Sequence, residues 1–168
     1  MEFNDIERRV RTALDEAGVD YEMVPCDPEL ADTAVFCAHY GWSTGDSANT
    51  IVVQSRDNPP RFVACVLLAT TRLDVNGTVR RRLGRKCSFA DAEQVARLTG
   101  MSLGGVTAVA LPPDLPLWID PRVLRRDRVI LGGGSRHWKL VAAPAFLADL
   151  PNAEVVDGLA RDLDPDSG

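Results

Sequence analysis

The sequence predicts an α+β fold: a single domain with a mixed, mainly antiparallel sheet and flanking helices. Strand-like runs outnumber helical ones and come in groups, without strict alternation with helices. Asn49–Gln54 and Arg61–Ala69, joined by the turn Arg56–Pro60, read as an antiparallel hairpin with an apolar second arm. The 168 residues contain no internal repeat and no Pro/Gly-rich linker, so one core is expected.

Each element has a local reason. Asn4 or Asp5 can cap a first helix to about Ala17, with Ile6, Val10, Ala13, Leu14 and Ala17 on one face. Gly18 follows as a natural left-handed terminator. Val19–Val24 reads as a strand closed by Pro25, and residues 26–32 as a polar loop. Thr33–Tyr40 fits a second helix ended by Gly41. After the hairpin, Asp74 can cap a helix from Val75 to Leu83, with arginines in its last turn. Lys86–Phe89 is a short extended piece, and Ala90–Leu98 a helix closed by Thr99-Gly100. Strands are expected at Thr107–Leu111 and Leu115–Ile119, separated by Pro112-Pro113. A basic helical turn starts at Pro121. Strands at Val129–Leu131 and Trp138–Ala142 bracket Gly132–Gly134. Pro144 suits the first turn of a helix to Leu150. A last strand covers about Glu154–Val156. The domain is expected to span 1–157, leaving 158–168 as a flexible acidic tail.

Composition excludes several classes. The apolar run Val63–Ala69 is far too short to span a bilayer. The polar, acidic N-terminus is unlike a secretory signal, so a cytoplasmic protein with no membrane partner is expected. Cys26, Cys37, Cys65 and Cys87 form no C-x-x-C pair and lie far from both histidines, so no metal site is expected and reduced thiols fit. The net charge of −5 hides a strong asymmetry. Residues 1–60 hold four basic and twelve acidic residues, giving −8. Residues 61–139 hold fourteen and six, giving +8, and residues 140–168 hold one and six, giving −5. Arg80, Arg81, Arg82, Arg85 and Lys86 form one basic cluster; Arg122, Arg125, Arg126 and Arg128 form another. Such clusters suit a phosphate backbone, or else they are solvated helix faces.

The stretch from Gly100 to Lys139 carries the candidate site. It holds two glycine loops, Gly104-Gly105 and Gly132-Gly133-Gly134, around an apolar run ending on Asp120. Glycine lets a ligand approach the main chain closely. The loops are either ordinary turns or the walls of a pocket built from backbone. No P-loop, dinucleotide fingerprint, nucleophile elbow or H-E-x-x-H pattern is present. His39, in a helix beside Tyr40, reads as structural, whereas His137 follows the glycine loop within reach of a pocket.

An ordered series of short motifs resembles one family. Thr99-Gly100, Gly104-Gly105-Val106-Thr107, Leu115-Pro116-x-x-Ile119-Asp120 and Gly133-Gly134-x-Arg136 look like the C-terminal half of the YbaK/EbsC family, the prolyl-tRNA synthetase-associated or INS-type editing domain. Val19-Asp20-Tyr21-Glu22, Asn49-Thr50-Ile51-Val52-Val53, and Leu73-Asp74-Val75 leading to Leu83-Gly84 and Lys86 resemble its earlier segments. The likeness covers roughly residues 10–150. It implies hydrolysis of the ester of a mischarged tRNA without metal or cofactor, in an acyl pocket against a glycine loop, with tRNA and an aminoacyl-tRNA synthetase as partners. An activated ester needs only an oriented carbonyl, a water and oxyanion donors.

Mapped onto this chain, the resemblance makes Asn49, Gly104 and Gly105 the catalytic positions. Cys26, Val106, Thr107, Ala108, Asp120, Gly132, Gly133, Gly134 and Arg136 become the substrate pocket. Arg80, Arg81, Arg82, Arg85 and Lys86 become the tRNA surface. The chain departs from the family at four of these. Asn49 stands where the family has lysine, Ala108 where it has proline, Cys26 at a tyrosine position and Gly132 at a serine position. Lys86 and Lys139 are the only lysines, and Lys139, just after the glycine loop, is a spatial candidate for the missing cation. Two main readings follow: a free-standing editing deacylase of altered acyl specificity, or an inactive relative that binds tRNA, an aminoacyl ligand or a synthetase. A small-molecule role unrelated to tRNA is a third.

Overall fold

The computed structural model describes residues 2–163. It is an α+β domain, as expected. Helix α1 (Asp5–Glu16) starts with a reciprocal cap: the Asn4 side chain accepts the Glu7 N–H at 2.9 Å, and the Glu7 carboxylate accepts the Asn4 N–H at 2.8 Å. The other Glu7 oxygen is buried and accepts the Ser135 hydroxyl at 2.9 Å, which ties α1 to the second glycine loop. Strand β1 (Tyr21–Pro25) and helix α2 (Thr33–Tyr40) follow, the helix ending at Gly41 with φ of 76°.

The hairpin is strand β2 (Ala48–Ser55) against strand β3 (Phe62–Leu68), from Ala48 opposite Leu68 to Gln54 opposite Phe62. Next come β4 (Thr71–Leu73), α3 (Arg80–Leu83), β5 (Cys87–Phe89), α4 (Ala92–Thr99), β6 (Leu117–Ile119) and α5 (Pro121–Leu124). The chain closes with β7 (Val129–Gly132), β8 (Trp138–Ala142), β9 (Ala153–Val155) and β10 (Ala160–Asp162). A five-stranded sheet has the order β5-β2-β3-β6-β9, in which β6 lies parallel to both β3 and β9. An antiparallel sheet β1-β8-β7 and a β10-β4 pair complete the framework.

Strand β3 is apolar throughout because both of its faces are covered. Ala64, Val66 and Leu68 join a core with Val10 and Leu14 of α1, Val95 of α4, Leu131 and Leu140. Val63, Cys65 and Leu67 join a second core with Val53, Val79, Trp118 and Leu159. All four cysteines are buried free thiols.

Three expectations are corrected. Residues 107–111 form no strand. The Thr107 N–H turns to the Met101 sulfur at 3.5 Å, Ala110 takes φ of 62°, and the two prolines that follow supply no N–H. The expected helix 75–83 is regular only over Arg80–Leu83, with a wide turn at Val75–Val79. Val75, Gly77, Thr78 and Val79 are poor helix formers, and the Asp74 carboxylate gathers both the Thr78 N–H and its hydroxyl. The expected flexible tail from residue 158 is ordered as far as Asp162. Leu159 is fully buried, and β10 pairs with β4. Residues 164–168 lie outside the described residues.

Candidate functional site

Ser47, just before β2, forms an isolated parallel bridge to Ile130 of β7, which joins the two sheets. Beyond that bridge they part. On its outer edge β2 is paired by β5 only from Val53 to Ser55, which leaves the edge at Asn49–Ile51 without a neighbouring strand among the described residues. The gap is a cleft of about 220 Å³. Asn49, Thr50 and Ile51 of β2 line it together with Gly132 and Lys139 of the other sheet, Leu103, Gly104 and Val106 of the first glycine loop, and Ala31–Thr33. This is smaller than the roughly 300–1,000 Å³ of pockets that enclose drug-sized ligands. It suits a group the size of one amino acid.

Main-chain glycines make the cleft possible by letting two loops stack. A Cβ on Gly105 would lie 2.6 Å from the Ser135 Cα and closer still to its carbonyl, and one on Gly132 would meet the Val106 carbonyl. The Gly134 N–H, at a φ of 99°, donates to the Gly105 carbonyl at 2.8 Å and locks the loops together. Arg136 clamps the outside. Its Nε donates to the Pro28 carbonyl at 2.8 Å, and its Nη1 to the Leu103 carbonyl at 3.0 Å and to Asp32 at 3.1 Å.

The polar groups in the cleft are few. The Thr33 hydroxyl donates to Asn49 Oδ1 at 2.7 Å, so the Asn49 NH₂ is left as the donor toward a ligand. Lys139 Nζ donates to the Ala31 carbonyl at 2.6 Å and the Gly104 carbonyl at 3.1 Å, 5.3 Å above the Phe36 ring. Burial pushes the Lys139 pKa below its ordinary value. Arg136 adds to that, whereas the nearby thiols and Asp32 oppose it. Burial raises the Cys26 thiol, with Lys139 pulling the other way. The N–H groups of Gly104 and Val106 carry no hydrogen bond among the described residues.

The structure therefore brings Asn49, Gly104, Val106 and Gly132 together, and it places the other expected site residues elsewhere. The Gly105 N–H is occupied by the Ser102 carbonyl at 2.9 Å and is not a free donor. Asp120 is a buried brace, not a pocket wall: one oxygen caps α5 through the Arg122 N–H, and the other accepts the Ala160 N–H at 2.8 Å. Thr107 is fully buried, its hydroxyl without a partner among the described residues. Ala108 lines a separate apolar cavity of about 350 Å³ against α1. Cys26 packs behind the cleft with Ala31 and Phe36, its thiol donating to the Asp27 carbonyl. Gly133 and Gly134 serve the loop, the former through the Trp138 carbonyl. His137 is exposed, and its main chain bonds Ser135 and Cys26. His39 stacks edge-on against Tyr40, whose hydroxyl accepts the Asp27 N–H.

The basic cluster is exposed on the side of the second core. Arg81 reaches Thr78, Arg85 pairs with Asp57, and Arg82 pairs with Glu154 over the Trp118 ring. Arg80 and Lys86 form no ion pair among the described residues. Lys139, named from the sequence only as a spatial candidate for the missing cation, lines the cleft. Its signal was a lone cation in a strand, Trp138–Ala142, whose every residue is buried. Among the described residues no helix is long and apolar enough to cross a membrane, and no group of three His, Cys, Asp or Glu is placed to hold a metal.

A family model described as the aminoacyl-tRNA editing domain matches residues 27–150. Among solved structures, a hypothetical protein is 27% identical at a TM-score of 0.80, with 91% of this chain and 99% of that chain covered. A candidate trans-editing enzyme for prolyl tRNA synthetase is 25% identical at a TM-score of 0.78, covering 93% of this chain and 98% of that one. A candidate signal transduction protein from Marinobacter aquaeolei, 21% identical at a TM-score of 0.61, shows the fold alone. It covers 96% of this chain and 31% of that one.

Proposed function

Because the chain belongs to the aminoacyl-tRNA editing domain family, we propose that it hydrolyses the ester of mischarged tRNA, with an acyl preference set by Asn49. The observation that carries this is the amino-acid-sized cleft that joins Asn49 to the N–H groups of Gly104 and Val106, which have no partner among the described residues. The acyl group enters between Ile51 and Val106. The Asn49 NH₂ donates to the ester and fixes its carbonyl. Water attacks the carbonyl carbon, and the Gly104 and Val106 N–H groups face the oxyanion that forms. The acyl C–O bond then breaks, and the ribose oxygen leaves with the proton given up by the attacking water, whose OH stays on the acyl carbon. Asn49 is neutral, so it orients the ester without adding charge. That difference from a lysine is the basis for altered specificity.

tRNA phosphates would meet the exposed cluster of Arg80, Arg81, Arg82, Arg85 and Lys86, and a synthetase would be the functional partner. The test is deacylation of a panel of misacylated tRNAs. At least one is hydrolysed well above the uncatalysed rate, and Asn49→Ala slows it by about 10-fold or more, the scale of one lost oriented hydrogen bond. No turnover on any member, with Asn49→Ala indistinguishable from wild type, refutes the reading. Binding without turnover would make the chain an inactive relative.

A further inference from the structure

Lys139 sits mid-strand in β8 and is only 7% exposed, yet no carboxylate pairs with it among the described residues. An ammonium has three N–H donors. Two are taken by the Ala31 and Gly104 carbonyls, and the third has no partner among the described residues. The groups around it are the Cys26 thiol beside β1, the Cys37 thiol on α2, Arg136 after the glycine loop and Asp32 on the rim. Asp32 already pairs with Arg136 at 3.1 Å. Burying a cation without a counter-charge is costly. The fold nevertheless places this one on the wall of the cleft, facing the β2 edge that carries Asn49. A ligand that brings negative charge into the cleft relieves that cost.

Building on the deacylase reading, we propose that Lys139 is the anion-binding residue of the cleft, its third N–H receiving an anionic oxygen of the acylated RNA end. That oxygen belongs either to the terminal phosphodiester or to the oxyanion formed at the ester carbonyl. The cation thus comes from β8, across the cleft from Asn49. Its two carbonyl bonds hold the ammonium in place, because they join the 27–32 loop to the first glycine loop.

The test compares wild type, Lys139→Met and Lys139→Arg on the misacylated tRNA that wild type removes best. Lys139→Met loses at least 10-fold in kcat/KM, and Lys139→Arg recovers part of the loss. A phosphodiester contact shows as a raised KM and a salt slope of tRNA binding shallower by about 0.7. An oxyanion contact shows as a lowered kcat at unchanged KM. After subtraction of uncatalysed hydrolysis, wild-type activity falls as pH rises through the Lys139 pKa, which lies below the ordinary 10.5. Lys139→Arg stays charged and lacks that fall. If Lys139→Met fails to fold, the wild-type and Lys139→Arg pH profiles carry the test. Wild-type kcat and KM in Lys139→Met overturn the proposal and leave the deacylase reading standing. So does activity that rises over the same pH limb with Lys139→Arg inactive, since that marks a neutral amine acting as base. If wild type deacylates nothing, the deacylase reading fails by itself, and tRNA binding decides the anion role. An unchanged affinity and salt slope in Lys139→Met overturns it, and a weaker, flatter dependence upholds it.

Discussion

Gly105→Ala probes the loop stacking that forms the cleft. Gly105 has no positive φ, so alanine's backbone preferences are not offended. The cost comes from contact alone. The new methyl would sit 2.6 Å from the Ser135 Cα and closer to its carbonyl, so the loops must part by about 1 Å to reach ordinary contact. Overpacking of this kind costs about 1–3 kcal/mol. Parting the loops also stretches the Gly134-to-Gly105 hydrogen bond, worth about 0.5–1.5 kcal/mol. The unfolded chain loses entropy with alanine, which returns about 0.4–1 kcal/mol. The net is centred on about 2 kcal/mol, or roughly 4–8 °C in the melting midpoint for a chain of this size. Urea unfolding followed by tryptophan fluorescence measures it directly, with Trp138 next to the loop as a reporter. Gly45→Ala is the control: its Cβ meets only Ser43 Oγ at 3.3 Å and Arg126 Nη2 at 3.7 Å, and a change within about 0.5 kcal/mol is expected. If Gly105→Ala behaves like this control, the backbone-on-backbone account of the glycine loops is wrong.

Two further predictions concern charge. The Asp57 carboxyl is held at about 2, first by the Ser55 hydroxyl and then by Arg61, with Arg85 adding to them. A depressed carboxyl contributes stability that is present above its unfolded value of 3.8 and is lost as pH falls toward about 2. Asp57→Asn should therefore flatten the acid limb of the stability profile between about pH 4 and 2. An unaltered slope there would refute the assignment. Replacing Arg80, Arg81 and Arg82 together by glutamine should weaken tRNA binding and reduce its salt slope by up to about 2–3, while leaving the turnover of bound substrate intact. Equal affinity in wild type and the triple variant would remove this face from the tRNA footprint.

Much of the fold was readable because its signals are local. The first helix announces itself through Asn4 and Glu7, the β2–β3 hairpin through its apolar arm, and α5 through Asp120 followed by Pro121. The failures have physical causes. Residues 107–111 look like a strand because they are apolar and β-branched in part. Burial without a pairing partner produces the same pattern as burial within a sheet, and only the Ala110 backbone turn distinguishes them. The β10 strand reads as tail because two of its three residues, Arg161 and Asp162, are charged and exposed, while its anchor is the neighbouring Leu159. Asp120 looked like a site residue because it ends an apolar run that carries the family resemblance, but both of its oxygens serve main-chain N–H groups of the fold.

The site itself was half legible, and the division follows from what glycine does. The sequence marks Gly104-Gly105 and Gly132–Gly134 as places where main chain can approach closely. It does not say what approaches. At Gly105 and Gly132 the visitor is the protein's own backbone, and within its own loop the Gly105 N–H is taken by the Ser102 carbonyl. Donors for a ligand then remain at Gly104, at Val106, on Asn49 and on Lys139. Of these, Lys139 could not be placed from sequence, because its partners are carbonyls 108 and 35 residues away and carbonyls leave no trace in side-chain spelling. A cleft with this inventory offers four hydrogen-bond donor groups of three kinds, and its one carboxylate, Asp32, is already held by Arg136. Such an inventory suits an electron-rich group, which is what the proposed acyl ester with its neighbouring phosphate would supply.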